Sequence, residues 1–200
     1  MNKKSTSEIY NRFAKKGVFP PQMAFTLLIP ARNLFLAPKQ LISRLHLNRD
    51  STVLEVGPGP GYFSTHIAKV LTEGRLVLAD IQQEMLDKAK KRILRKKISN
   101  VDFYLCNGDS FLLPDESFDV IFLVTVIGEI ENKNAYIKEF HRLLKSEGIL
   151  SISELKGDPD KLTISDVKGV ITDSGFVFDD LFGNEDNYTI NFKKILNNNT

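Results

Sequence analysis

The chain is short of the residues from which many kinds of site are built. It has one cysteine, Cys106, so no internal disulfide can form, and a lone thiol fits a reducing compartment. Its three histidines, His46, His66 and His141, are scattered, and no metal site is expected. A charge excess of one sign is also missing. The 27 Lys and Arg against 25 Asp and Glu leave a formal +2, which gives no whole-chain reason to invoke nucleic acid. Residues 1–16 alternate charged and apolar side chains without the core of a signal peptide. The longest apolar stretch, 23–29, is far too short to span a bilayer and is closed by Pro30 and Arg32. The expected location is the cytoplasm. No internal repeat is visible, and the terminal Asn run is the sole low-complexity segment.

What is present is enough for one substantial core: 200 residues, 42% of them hydrophobic. Residues 53–56, 76–79, 101–105, 120–124 and 149–152 read as short buried strands, rich in aliphatic and β-branched side chains and bounded by Gly, Asp, Asn or Pro. Between them, 62–71, 82–97 and 134–144 carry apolar residues at helical spacing, with Gly148 expected to stop the third helix. Strands alternating with helices imply a parallel sheet covered on both faces. The end breaks the rhythm. A weak helix over 163–174 precedes two strand-like runs, 176–182 and 188–195, joined by a polar loop too short for a crossover helix, so this pair is expected to form an antiparallel hairpin. Ahead of the first strand, residues 1–48 are neither strand-like nor linker-like. Their many large apolar side chains predict a helical arm, or lid, packed on a main domain of 49–200.

The most informative segment runs from Val53 to Ser64. A buried strand ends in an acid, glycines follow at 57, 59 and 61, and a helix begins, which is the construction of a nucleotide-like cradle. The spacing fails the dinucleotide pattern G-x-G-x-x-G, because the position due for its third glycine falls on Tyr62. A Walker-type loop needs Gly-Lys-Ser/Thr, and no lysine occurs until Lys69. Glu55, two residues before Gly57, would repel a pyrophosphate. These facts suit a ligand with a positive group and no phosphate there. At the end of the second strand, Asp80 can accept hydrogen bonds from both hydroxyls of a ribose, a feature shared with NAD enzymes.

Glu55-x-Gly57-x-Gly59-x-Gly61 resembles the first motif of class I S-adenosylmethionine-dependent methyltransferases. The resemblance extends in order over about residues 51–155. Residues 106–110 and 113–121 resemble the family's Gly-Asp turn and the run into its fourth strand, and 136–150 its following helix, turn and strand. It implies a Rossmann-like doubly wound α/β sheet of seven strands, mostly parallel with an antiparallel C-terminal hairpin. It also implies a cofactor site for S-adenosylmethionine, with S-adenosylhomocysteine as product. There the glycines 57, 59 and 61 admit the amino-acid end of the cofactor and Glu55 supports its ammonium. Asp80 holds the ribose, Ile81 packs on adenine, and Asp109, with Ser110 beside it, accepts from the adenine amino group. Asp119 is structural by the same likeness.

Glu129 lies past the fourth strand, where the methyl and its acceptor would meet. It reads as a general base, as a carboxylate steering a cationic acceptor, or simply as a charge at a helix start. Cys106 reads as a core thiol, and His66 and His141 as surface or packing residues. The basic run from Lys88 to Lys97 is a solvated helix back or a face for RNA or anionic lipid. The Asn/Asp-Pro-Pro-aromatic signature of enzymes acting on exocyclic amines of nucleic acids is missing after the fourth strand. No substrate domain is inserted after the fifth. The resemblance is nearest to methyltransferases of quinone and other small-molecule metabolism, and the acceptor expected is a small, partly apolar molecule. Two alternatives stand beside it: a SAM-binding regulatory or scaffold protein without turnover, and a peripheral-membrane lipid methyltransferase.

Overall fold

The sheet is built from strands whose alternate side chains feed two separate cores. The computed structural model describes residues 35–106 and 110–195. In chain order the elements are α1 (Pro38–Arg44), β1 (Thr52–Val56), α2 (Ser64–Val70), β2 (Arg75–Asp80), α3 (Gln83–Arg95), β3 (Val101–Leu105) and β4 (Phe118–Val124). There follow α4 (Lys133–Leu143), β5 (Leu144–Glu154), α5 (Ile164–Ile171), β6 (Phe176–Asn184) and β7 (Asn187–Lys194). All seven strands join one sheet in the order β3-β2-β1-β4-β5-β7-β6. The pairs from β3 to β5 are parallel, and β5 with β7 and β7 with β6 are antiparallel. The expected doubly wound sheet and its closing hairpin are therefore present.

Period-two alternation sorts the residues. Val53, Leu76, Leu78, Val120, Phe122 and Val124 pack with Leu41, Leu45, Ile67, Leu71, Leu86 and Ala89 from α1, α2 and α3. Their neighbours Leu54, Val56, Val77, Ile121, Leu123, Leu150 and Ile152 face Tyr136, Ile137 and Phe140 of α4 and Val167 and Ile171 of α5. From the arm, α1 lies over β7. Arg44 Nη1 donates to Thr189 Oγ1 (2.9 Å), and Asn191 Nδ2 donates to the Arg44 carbonyl (2.7 Å). Of the large apolar side chains expected to form the lid, Phe19, Phe25, Leu27, Leu28 and Leu34 lie outside the described residues, whereas Leu36 is fully buried in the core with Leu41 and Leu45 and Phe35 is 41% exposed.

Two expectations need correction. Gly148 does not stop α4. The helix ends at Leu143 and the chain enters β5 at once, Leu144 already being extended (φ −72°, ψ 138°). The register against β4 then shifts between the Phe118–Leu144 and Val120–Ile149 pairs, and Gly148 sits in that irregularity. A Cβ there would lie 2.8 Å from the Lys145 carbonyl oxygen, so its smallness serves a bulge in the strand. Second, α2 starts at Ser64 rather than at residue 62. Tyr62 and Phe63 belong to the preceding turn and pack edge to face, 4.9 Å between centroids.

The β3 to β4 crossover has no helix among the described residues, although both its strands are parallel members of the sheet. Its second half is held by α4. Glu139 accepts from the Phe111 amide (2.9 Å), and Arg142 donates to the Phe111 (2.7 Å) and Leu113 (2.9 Å) carbonyls and pairs with Asp115. Phe111 is buried against Tyr104, Tyr136 and Phe140 as a plug. Asp119 is structural, as expected: it accepts from the Thr52 amide (2.7 Å) and from Lys145 (2.8 Å), tying β4 to the start of β1.

Candidate active site

In a parallel sheet every strand points its carboxyl end the same way, and ligands bind there, where neighbouring connections diverge. Here β1 and β4 are adjacent while their connections leave toward opposite faces, to α2 and to α4. The glycine turn stands at that point. Gly57, Gly59 and Gly61 all have positive φ (66°, 53° and 77°), which L side chains adopt at a cost of about 1–2 kcal/mol each. Gly57 donates to the Ala79 carbonyl (2.8 Å), drawing the turn against the end of β2. Space is as restrictive as conformation. A Cβ on Gly57 would lie 2.5 Å from Val126 Cγ2, in the segment after β4.

Two of the predicted carboxylates flank this turn. Glu55 is buried on the face of β1 that α2 covers and accepts a 2.6 Å hydrogen bond from Ser64 Oγ at the start of α2. Asp80, 8% exposed, ends β2; burial is the main effect on it and raises its pKa to about 6, against the lowering pull of the Gln82, Gly59 and Ile81 amides. The Gln82 amide donates to its Oδ1 at 2.9 Å. The structure thus brings Glu55, the three glycines and Asp80 to one rim. Ile81 follows, 48% exposed, its side chain presented to solvent as an apolar surface should be if it is to meet a flat ligand. Ser110 is exposed at the same end, and Asp109 lies outside the described residues. Cys106 is 6% exposed and its thiol is pushed up to about 12 by burial and then by Asp80, so it is the inert core thiol expected.

Across the rim, Thr125 ends β4 in the left-handed region (φ 56°), with its amide on the Ser153 carbonyl (2.8 Å). That turn throws Val126 onto the glycines. Half-buried Glu129 lies in the same segment, outside α4, whose cap is Asn132 Oδ1 accepting from the Ala135 amide (3.2 Å). Glu129 is not a helix-start carboxylate. The segments after β4 and β5 touch: a Cβ on Gly128 would overlap the Asp160 carbonyl oxygen.

Three features of this rim escape sequence reading. Leu105 and Leu112 are 48% and 88% exposed and extend the apolar surface beside Ile81; alternation alone marks Leu105 as a core residue. Glu154, the last residue of β5, is 1% exposed, and among the described residues no well-formed hydrogen bond reaches either carboxylate oxygen. Burial, reinforced by Asp158 and Glu129 and opposed by the Leu162 amide and Lys161, raises it to about 8. Its only sequence signal is an acid ending an apolar strand, the signal that singled out Glu55. Away from the rim, ligand atoms of His46, Asp179 and Asp180 lie within 4.8 Å of one another. The His46 ring is hydrogen-bonded to Asp180 and Asp179 is paired with Lys193, each at 3.0 Å.

The methyltransferase-domain family matches residues 47–188. The ubiquinone/menaquinone biosynthesis C-methyltransferase of Hydrogenovibrio crunogenus is 32% identical over 106 residues, covering 52% of this chain and 42% of that protein. The Escherichia coli protein of the same description is 28% identical over 110 residues, covering 54% and 44%. The chain therefore spans less than half the length of these relatives. Among solved structures, a SAM-dependent methyltransferase from Aquifex aeolicus superposes with a TM-score of 0.84 at 22% identity, covering 89% of this chain and all of that one. The chain belongs to the methyltransferase-domain family and has the fold of its S-adenosylmethionine-dependent members.

Proposed function

We propose that the protein transfers a methyl group from S-adenosylmethionine to a small, partly apolar acceptor in the cytoplasm. The observation that carries this reading is the pair of buried carboxylates, Glu55 and Asp80, on either side of a glycine turn that has no Lys or Arg between residues 55 and 64. Such a rim repels phosphate and welcomes an ammonium and a pair of hydroxyls. The residues present fit the cofactor. The cradle over Gly57 is one that a Cβ would fill, and both carboxylates are buried at the carboxyl ends of their strands.

S-adenosylmethionine supplies an activated methyl on a sulfonium, with a thioether as leaving group. The chain's own residues bind and orient. Ser64 holds the Glu55 carboxylate toward the turn, where it supports the ammonium. Asp80 accepts from the ribose hydroxyls, and Ile81, with Ser110 beyond it, borders the adenine, whose amino group is assigned to Asp109 on the family resemblance alone. Val126 closes the turn from the β4 side. A displacement of this kind chiefly requires alignment in a site poor in water, so the lack of a nucleophilic dyad is no obstacle. Glu129 stands where it can take a proton from the acceptor or attract a cationic one, and its charge is felt by Glu154.

The test is turnover. Purified protein incubated with S-adenosylmethionine and a panel of quinols, phenols and small amines should release S-adenosylhomocysteine with at least one of them, and Glu129→Gln should lower that rate with cofactor affinity unchanged. Cofactor binding without release for any acceptor would move the assignment to a regulatory SAM-binding module. No cofactor binding at all would end the proposal.

A further inference from the structure

Seven of the ten residues from Lys88 to Lys97 are Lys or Arg, in a chain whose formal net charge is +2. The structure places this excess on the C-terminal half of α3 and the turn that follows. Among the described residues, none of Lys90, Lys91, Arg92, Arg95, Lys96 and Lys97 is ion-paired with a carboxylate. Elsewhere the surface does pair its charges, as Arg49 with Glu73 and Arg75 with Asp102 do. The acids of α3, Glu84 and Asp87, are confined to its first turns.

Helix geometry shows what this face presents. Met85, Leu86, Ala89 and Ile93 are buried against the sheet. At 100° per residue the direction opposite that buried stripe falls on Lys91, with Arg95 about 40° to one side of it, Leu94 about 60° to the other and Lys90 beyond Leu94. Leu94 is 62% exposed. Leu94 thus stands among cations that no carboxylate of the described residues pairs, Lys90 alone being drawn over a ring, that of Phe103, at 5.8 Å from its centroid. The same cations reach the neighbouring helix, where His66 is held below its ordinary value by burial and then by Lys96, Lys69 and Arg92.

We propose that the outward face of α3 is a docking surface for an anionic lipid membrane. Lysine and arginine stems lie along an interface while their heads reach anionic headgroups, and the leucine among them enters the acyl boundary. Nucleic acid is the less suitable partner: the face is convex, and no exposed aromatic ring is available on it for a base to stack upon. The basic half of α3 is the end farther from the cofactor rim, because the helix starts just after Asp80 and runs back along the sheet. Docking there leaves the acceptor end uncovered. The inference is independent of the reaction proposed above.

Co-sedimentation of the full chain with phosphatidylcholine vesicles containing about a third phosphatidylserine tests it. The protein should pellet with these vesicles and stay in solution with pure phosphatidylcholine. Each cation lost should weaken binding about fivefold, so Lys90→Glu, Lys91→Glu and Arg95→Glu combined should abolish it. Leu94→Ser should weaken vesicle binding several-fold and leave binding to a single-stranded RNA oligonucleotide unchanged. Unaltered S-adenosylhomocysteine affinity or an unaltered thermal midpoint certifies that these surface variants fold. No phosphatidylserine-dependent pelleting, or pelleting retained by the triple variant, overturns the proposal. RNA binding that the triple variant loses, with vesicle binding indifferent to Leu94→Ser, would assign the face to nucleic acid instead.

Discussion

Asp80 carries two separable consequences at the scale of single residues. Asp80→Ala removes charge-assisted bonds to two hydroxyls, which water makes good in part, and a net loss the size of one such bond, about 1.5–3 kcal/mol, should weaken S-adenosylhomocysteine binding about ten- to a hundredfold in calorimetry. Its pKa, raised by burial to about 6, sets the pH dependence. Only the ionised form accepts both hydroxyls, so affinity should be constant above that value and fall as pH drops through it. A profile flat across pH 6 would contradict Asp80 as the ribose acceptor. Gly57 gives the complementary test by size. Gly57→Ala combines a left-handed backbone with a Cβ driven into Val126, and should abolish cofactor binding at a stability cost of a few kcal/mol, about 1–2 of it from the backbone alone. These residues were legible in the sequence because their chemistry is local: an acid, a spacing, a missing lysine. Glu154 was not, since nothing in the order of residues says that its carboxylate is buried at the end of β5 near Asp158 and Glu129.

Among the elements, the strands and helices followed from period, because alternation along β1, β2 and β4 and the 3.6-residue stripes of α3 and α4 sit on a sheet that buries both faces. The failures have physical reasons. Gly148 looked like a helix stop because a glycine followed an apolar stripe, whereas the chain turns from helix to strand without a loop and spends its glycine on a bulge. The crossover before β4 has no periodicity to read, being held by side chains from another element. That arrangement predicts a defect at a distance. Arg142→Ala removes two hydrogen bonds to the Phe111 and Leu113 carbonyls and the pairs with Glu139 and Asp115. It should cost about 1–3 kcal/mol in denaturant unfolding and weaken cofactor binding, because Ser110 and Leu112 lose their support. Unchanged stability would mean that the Phe111 plug alone holds the loop.

For the whole molecule, Glu154 shapes how stability varies with pH. Its folded pKa is raised from 4.5 to about 8 by burial, so the folded state retains a proton that the unfolded state has already released. Stability therefore falls as pH rises from about 4.5 to about 8, and the penalty is complete above that. Glu154→Gln, which keeps the shape and removes the charge, should unfold at a higher temperature than the parent at pH 8.5, with the difference closing toward pH 4.5. A difference that is constant over that range would place the effect in packing rather than ionisation.

The central claim is that the rim formed by Glu55, the glycine turn and Asp80 is a site for S-adenosylmethionine and not for a dinucleotide. Isothermal titration of the purified chain with S-adenosylhomocysteine, and in parallel with NAD, tests it most directly. S-adenosylhomocysteine should bind saturably, one to one, and NAD should not bind. Binding of NAD, or no heat with S-adenosylhomocysteine at concentrations that saturate a site of micromolar affinity, would contradict it.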